Sequence, residues 1–191
     1  MADITNEIVK KMRDYENRIE RLEKIEQPRG ANYTWASIAA ASITATAGGI
    51  GAGVVADLRT AHDGLYIHVD EVAATPGLNF IVDFTGVTEF SLVHIIGTYD
   101  GSATHSIGIQ LYYWVGTTWH TWDSMQTGQE DTTTAGGYIL DSHDFTVPSS
   151  APYIGTGADA GKVRVRFYHT MGGNASHDLW LDIVELVSLG W

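Results

Sequence analysis

The sequence predicts a mainly β protein, a jelly-roll-like β-sandwich carried behind an N-terminal α-helical coiled coil of parallel chains. Three observations predict it. Apolar residues in the first 27 positions recur every 3.5 residues on average, those from Leu65 onward alternate with polar ones, and Gly or Pro clusters separate the alternating stretches.

The heptads come first. With Met12 and Ile19 at a and Ile8, Tyr15 and Leu22 at d, the apolar seam is narrow and finds burial only against sister helices. The same register places Lys11 and Arg18 at g, and Glu16 and Glu23 at e. Each basic g residue then meets the acidic e residue five positions later on a neighbouring chain, a pairing made by parallel, in-register helices and not by antiparallel ones. Pro28, Arg29 and Gly30 end the helix, so residues 1–27 read as a trimerisation stalk, 28–34 as a hinge and 35–191 as the β body. Three heptads are marginal alone, because exposed pairs contribute only about 0.3 to 0.5 kcal/mol each and short helices are weakly stable. The bodies are expected to help hold the trimer.

Charge separates the two parts. Residues 1–30 hold seven Lys or Arg and seven Asp or Glu. The body keeps four cations, Arg59, Lys162, Arg164 and Arg166, against sixteen carboxylates, and so carries the whole net charge of -12. Phosphate recognition depends on clustered Lys and Arg, which excludes nucleic acid and an anionic membrane as expected partners. With no cysteine, disulfides, thiolate metal sites and thiol nucleophiles are excluded too. The charged N-terminus lacks the apolar core of a signal peptide, which predicts synthesis in the cytoplasm without signal-directed export.

From residue 35 to 56 no charge occurs, a span long enough to cross a bilayer. Its content is wrong for insertion: Ala, Ser, Thr and Gly dominate, Leu and Phe are missing, and Gly48, Gly49 and Gly51 sit mid-segment. Close packing of strands or subunits is the expected use. Beyond it, Leu65, Ile67 and Val69 alternate with Tyr66, His68 and Asp70, the period of a half-buried strand. The pattern recurs in Phe80-Val82-Phe84, in Ile107 to Val115, in Ile139 to Val147, and in Val163-Val165-Phe167 against Arg164 and Arg166. Segments 90–96 and 179–187 are apolar on both faces, as covered central strands are. Pro76-Gly77, Asp100-Gly101, Gly136-Gly137, Pro148 and Gly172-Gly173-Asn174 supply the turns.

The chain contains no P-loop, GxGxxG, HExxH or GxSxG pattern, so neither an enzyme nor a cofactor is expected. Asp141 and His143 share a strand face and can ligate a cation, but the flanking Ile139 and Phe145 favour a hydrogen-bonded Asp/His couple over a metal. His169 and His177 flank the last turn, either as rings in a trimer or as ordinary turn residues. Gly116-Thr117 fits a two-residue type II′ turn, which pairs Trp114 with Trp119 and Tyr112 with Thr121 on one face. Leu111, Tyr113, Val115, His120 and Trp122 share the other. If the aliphatic face is inward, Tyr112, Trp114 and Trp119 form an aromatic platform, suited to stacking on sugar rings or to burial against another protein or a sister chain.

The segment RIERLE at 18–23 resembles the short coiled-coil trimerisation motif Arg-h-x-x-h-Glu, where h is aliphatic. The resemblance implies that Arg18 bridges to Glu23 of the next chain and shields the Ile19 and Leu22 layers, which favours three strands over two and makes the stalk a parallel trimeric coiled coil. VRVRFYH at 163–169 and HDLWLDIVELV at 177–187, joined by a glycine-rich turn, resemble the final hairpin of jelly-roll modules in bacteriophage appendage proteins and carbohydrate-binding modules. The short stalk with a Gly/Thr/Ser-rich, cysteine-free body also resembles phage fibre, head-fibre and capsid-decoration proteins. These resemblances imply a noncatalytic homotrimeric virion structural protein, located in the virion and partnered by capsid, neck or tail proteins. A carbohydrate-binding or adhesin module recognising host surface glycans is the second reading.

Overall fold

A computed structural model of the chain describes residues 34–59, 65–102, 104–126, 133–135 and 138–190. The stalk positions Ile8, Lys11, Met12, Tyr15, Glu16, Arg18, Ile19, Leu22 and Glu23 lie outside these residues. In chain order the strands are β1 (Thr34–Ala39), β2 (Ser42–Ala47), β3 (Gly49–Ala52), β4 (Ile67–Asp70), β5 (Leu78–Phe84), β6 (Leu92–Asp100) and β7 (Ser106–Tyr113). They continue as β8 (Thr118–Gln126), β9 (Thr133–Ala135), β10 (Tyr138–Ser142), β11 (Phe145–Thr146), β12 (Val163–His169) and β13 (Asp178–Gly190). Helical structure among the described residues is limited to short 3-10 turns at Val55–Leu58, Ala151–Tyr153 and Gly157–Asp159.

Two antiparallel sheets face each other in a jelly-roll-like sandwich, and residues Trp35–Leu189 form one compact unit. The larger sheet runs β3-β4-β13-β6-β10-β9, with β1 also on β13 and β11 also on β6. The smaller runs β2-β5-β12-β7-β8. Alternation explains the arrangement: β5 buries Leu78, Phe80, Val82 and Phe84, and β12 buries Val163, Val165 and Phe167, every second residue in each. These meet Ile67, Val69, Val93, Ile95, Leu179 and Leu181 of the larger sheet in one core. Each such side chain removed from water contributes about 1.5 to 3 kcal/mol.

The uncharged segment 35–56 is built into β1, β2, β3 and the turn after them. Three expectations are corrected. The stretch from 139 to 147 is two short strands rather than one; β10 and β11 keep a single register on β6, with Asp141 opposite Gly97 and Phe145 opposite Val93, and the break is local to His143 and Asp144. The run at 179–187 owes its buried succession to a bulge, because the register on β6 slips between Leu181 and Ile183 and leaves Leu181, Asp182, Ile183 and Val184 all inside. Finally, β12 and β13 are not a hairpin. They lie in different sheets, β12 between β5 and β7 and β13 between β4 and β6, and Phe167 packs in the core between the two layers.

Candidate functional site

The outward positions of β12, β7 and β8 make one continuous face on the smaller sheet. Tyr112 stands directly across from Trp119, with ring centroids 5.0 Å apart at 67°. Trp114, the first residue after β7, turns back against Tyr112 at 4.8 Å and 83°. The platform expected from the sequence is therefore assembled, but through a different turn. The connection is the four residues Trp114 to Thr117, with Thr117 in the left-handed region (φ 50°) and the Trp114 amide donating to the Pro152 carbonyl at 3.0 Å. Tyr112 pairs with Trp119 instead of Thr121, and Gln110 pairs with Thr121. Moving the register by two residues preserves which side each residue faces, so the aromatics stay together.

The inner side changes more. Val115 leaves it altogether and is 75% exposed in the loop. Tyr113 stacks on His120 at 4.5 Å, and the His120 Nδ1 lies 3.1 Å from the Tyr153 hydroxyl. Trp122 stacks on Phe145 and packs against the core.

Two of the body's four cations lie on the aromatic face. Arg166 donates from Nε to Gln110 Oε1 at 2.8 Å and again from Nη2, while Gln110 Nε2 donates to Thr121 Oγ1 at 2.9 Å. Its guanidinium sits between Trp119 and Tyr168, 4.1 Å from each ring centre. Arg164 donates to Asp83 Oδ1 at 3.0 Å and lies 5.2 Å from the Trp114 ring and 5.8 Å from Tyr112. Burial pushes the Arg166 pKa down to about 10, which leaves it charged at neutral pH. Cation–π contacts of this kind contribute roughly 0.5 to 2 kcal/mol, more as water is excluded. The guanidinium groups are thus held in place on two sides, by an acceptor and by rings.

Sequence reasoning located the aromatics and missed Gln110, Arg164, Arg166 and Tyr168 as their companions. The alternation had already placed Arg164 and Arg166 on one face of β12; what it lacked was the adjacency of β12 to β7. Chemically the face offers ring surfaces for apolar C–H patches, and fixed N–H groups and carbonyl or carboxylate oxygens for hydroxyls.

The expected Asp141/His143 couple forms with another acid. His143 is 8% exposed and its Nδ1 lies 3.2 Å from Asp123 Oδ2 on β8, whereas the Asp141 side chain lies outside the described ones. His169 and His177 do not project outward as rings for sister chains; they converge within one chain on Glu71.

No protein-family model and no curated protein matches this chain. Solved structures with a similar outline include a mutant of a family 29 carbohydrate-binding module, with a TM-score of 0.48, 10% identity, and coverage of 82% of this chain and 93% of that one. A mutant of the family 29 module CBM29-2, complexed with mannohexaose, scores 0.47 at 9% identity over 83% and 94%. The family 32 module from C. perfringens NanJ, in complex with galactose, scores 0.43 at 12% identity over 80% and 100%. At these scores and identities the likenesses assign neither a ligand nor a site to this chain.

Proposed function

We propose that this protein is a noncatalytic glycan-binding module whose site is the outer face of β12, β7 and β8. The observation that carries the reading is the placement of Tyr112, Trp114 and Trp119 around Arg164, Arg166 and Gln110. A pyranose ring has apolar C–H faces and a rim of hydroxyls, so it needs aromatic surface and polar groups in alternation. A protein partner would favour a drier patch; here two guanidinium groups, an amide and a carboxylate are woven among the rings. Prearranged side chains also reduce the ordering cost of binding.

The full chain should be retained by a subset of a panel of neutral and acidic glycans, and Trp119→Ala should weaken that retention by about tenfold or more, equivalent to about 1.4 kcal/mol. Thermal unfolding of the variant checks that the sandwich persists. Absence of binding to every glycan by folded wild type, or full binding by Trp119→Ala, sinks the reading.

The heptads support a second proposal compatible with the first. Three chains joined through residues 1–27 would display three such faces as a virion appendage on a capsid, neck or tail, with assembly in the host cytoplasm. Linked copies raise avidity by roughly 10²- to 10⁴-fold when the geometry permits simultaneous contact, which suits a weak single-sugar site.

A further inference from the structure

Five strand ends bring a second set of side chains together on the inner side of the sandwich. Glu71 follows β4, Tyr99 sits at the end of β6, His105 precedes β7, His169 ends β12 and His177 precedes β13. Glu71 and His169 are 1% and 2% exposed. Glu71 Oε1 lies 2.6 Å from His169 Nδ1 and accepts from the Tyr99 hydroxyl at 3.1 Å. Its Oε2 accepts from the Asn174 amide at 3.0 Å and lies 3.2 Å from His177 Nδ1.

Two nitrogens in this cluster are buried without a hydrogen-bond partner, His169 Nε2 and His105 Nδ1. The two rings are 4.8 Å apart, centre to centre. A buried imidazole nitrogen left unpaired is costly, and two beside a buried carboxylate are harder to account for as packing alone. One donor atom from each of Glu71, His105 and His169 lies within 4.8 Å of the other two. In a tetrahedral site with bonds of about 2.0 to 2.1 Å, neighbouring donors stand about 3.3 Å apart, so the Glu71 Oε1–His169 Nδ1 pair, at 2.6 Å, has to open slightly while the His105 nitrogen draws in.

We propose that Glu71, His105 and His169 bind one divalent transition-metal ion of the zinc class. Two imidazoles and one carboxylate form a borderline nitrogen-and-oxygen donor set, which suits zinc, cobalt or nickel and not calcium or magnesium with their all-oxygen shells. Tyr99, His177 and the Asn174 amide act as positioning groups, fixing the carboxylate that the ion would share. Two glycines let the backbone approach the cluster closely: a Cβ on Gly173 would stand 2.9 Å from Glu71 Oε2, and one on Gly77 3.0 Å from His169 Nδ1. The ion would tie together three strand ends, those of β4, β7 and β12, and so both sheets. The cluster lies on the inner side of β12, opposite the aromatic face, so ion binding can be tested independently of glycan binding.

The full chain without any affinity tag, stripped with chelator and dialysed, should take up one zinc per chain by calorimetric titration and elemental analysis. Unfolding should move to higher temperature with zinc and not with calcium. His105→Gln is the informative variant, because the described hydrogen bonds do not use the His105 ring. It should stay folded and lose about tenfold to hundredfold in zinc affinity, together with the tetrahedral absorption bands that cobalt shows in wild type. His68→Gln removes a separate, half-buried cluster of His68, Asp70 and Asp178 on the outer side of β4 and β13, and should bind as wild type does. Folded wild type that takes up no zinc at micromolar concentration overturns the proposal. So does undiminished affinity in His105→Gln, or its loss in His68→Gln.

Discussion

Tyr99 shows how one buried hydroxyl ties the end of the sandwich to pH. Burial, reinforced by the Glu71 carboxylate beside it, pushes its pKa well above the ordinary 10.0. The unfolded chain ionises this tyrosine near pH 10, whereas the folded chain keeps the proton. The sign follows directly: the contribution is fully present below about pH 10 and is lost as pH rises beyond it. Urea unfolding of wild type should therefore weaken above pH 10 more steeply than that of Tyr99→Phe, and equal slopes would remove the assignment. On the outer face, Arg166→Lys keeps the charge but loses the paired donation to Gln110 and the guanidinium contacts with the Trp119 and Tyr168 rings. Glycan retention should fall by about tenfold, with the melting temperature little changed.

Strand β13 depends on an irregularity. Its register on β6 slips after Leu181, and the residue opposite the slip is Gly97, where a Cβ would stand 2.6 Å from the Trp180 carbonyl oxygen and 2.8 Å from the Leu181 side chain. Gly97→Ala must push the bulge away from β6 and should destabilise by about 1 to 3 kcal/mol, read as a lower urea midpoint at unchanged slope. The β7–β8 connection teaches a different lesson. Leu111, Tyr112 and Trp119 fall on the faces that alternation assigns them, because side-chain parity is set by the pleat of each strand. The turn itself differs from the two-residue Gly116-Thr117 hairpin that the local pattern predicts: Trp114 and Val115 also leave the ladder, and the Trp114 amide donates to the Pro152 carbonyl. That partner lies some forty positions away and has no local signature.

Assembly is the level at which stalk and heads would act together. Light scattering on the full chain should give three chains per particle across micromolar concentrations, and removal of residues 1–27 should leave folded heads whose glycan retention drops with the loss of avidity. A monomeric full chain would refute the heptad argument. What could be read from the linear order of residues were the properties fixed within a few positions: the period of two that makes β5, β7 and β12 strands, the acidic body, and the aromatic character of one strand pair. What required the folded chain were the encounters between distant segments. Arg166 meets Gln110 across 56 positions and His169 meets Glu71 across 98. No local pattern encodes either meeting, because strand order in a sandwich is chosen by the burial of the whole core at once, and polar groups at strand ends take whichever neighbours that choice delivers.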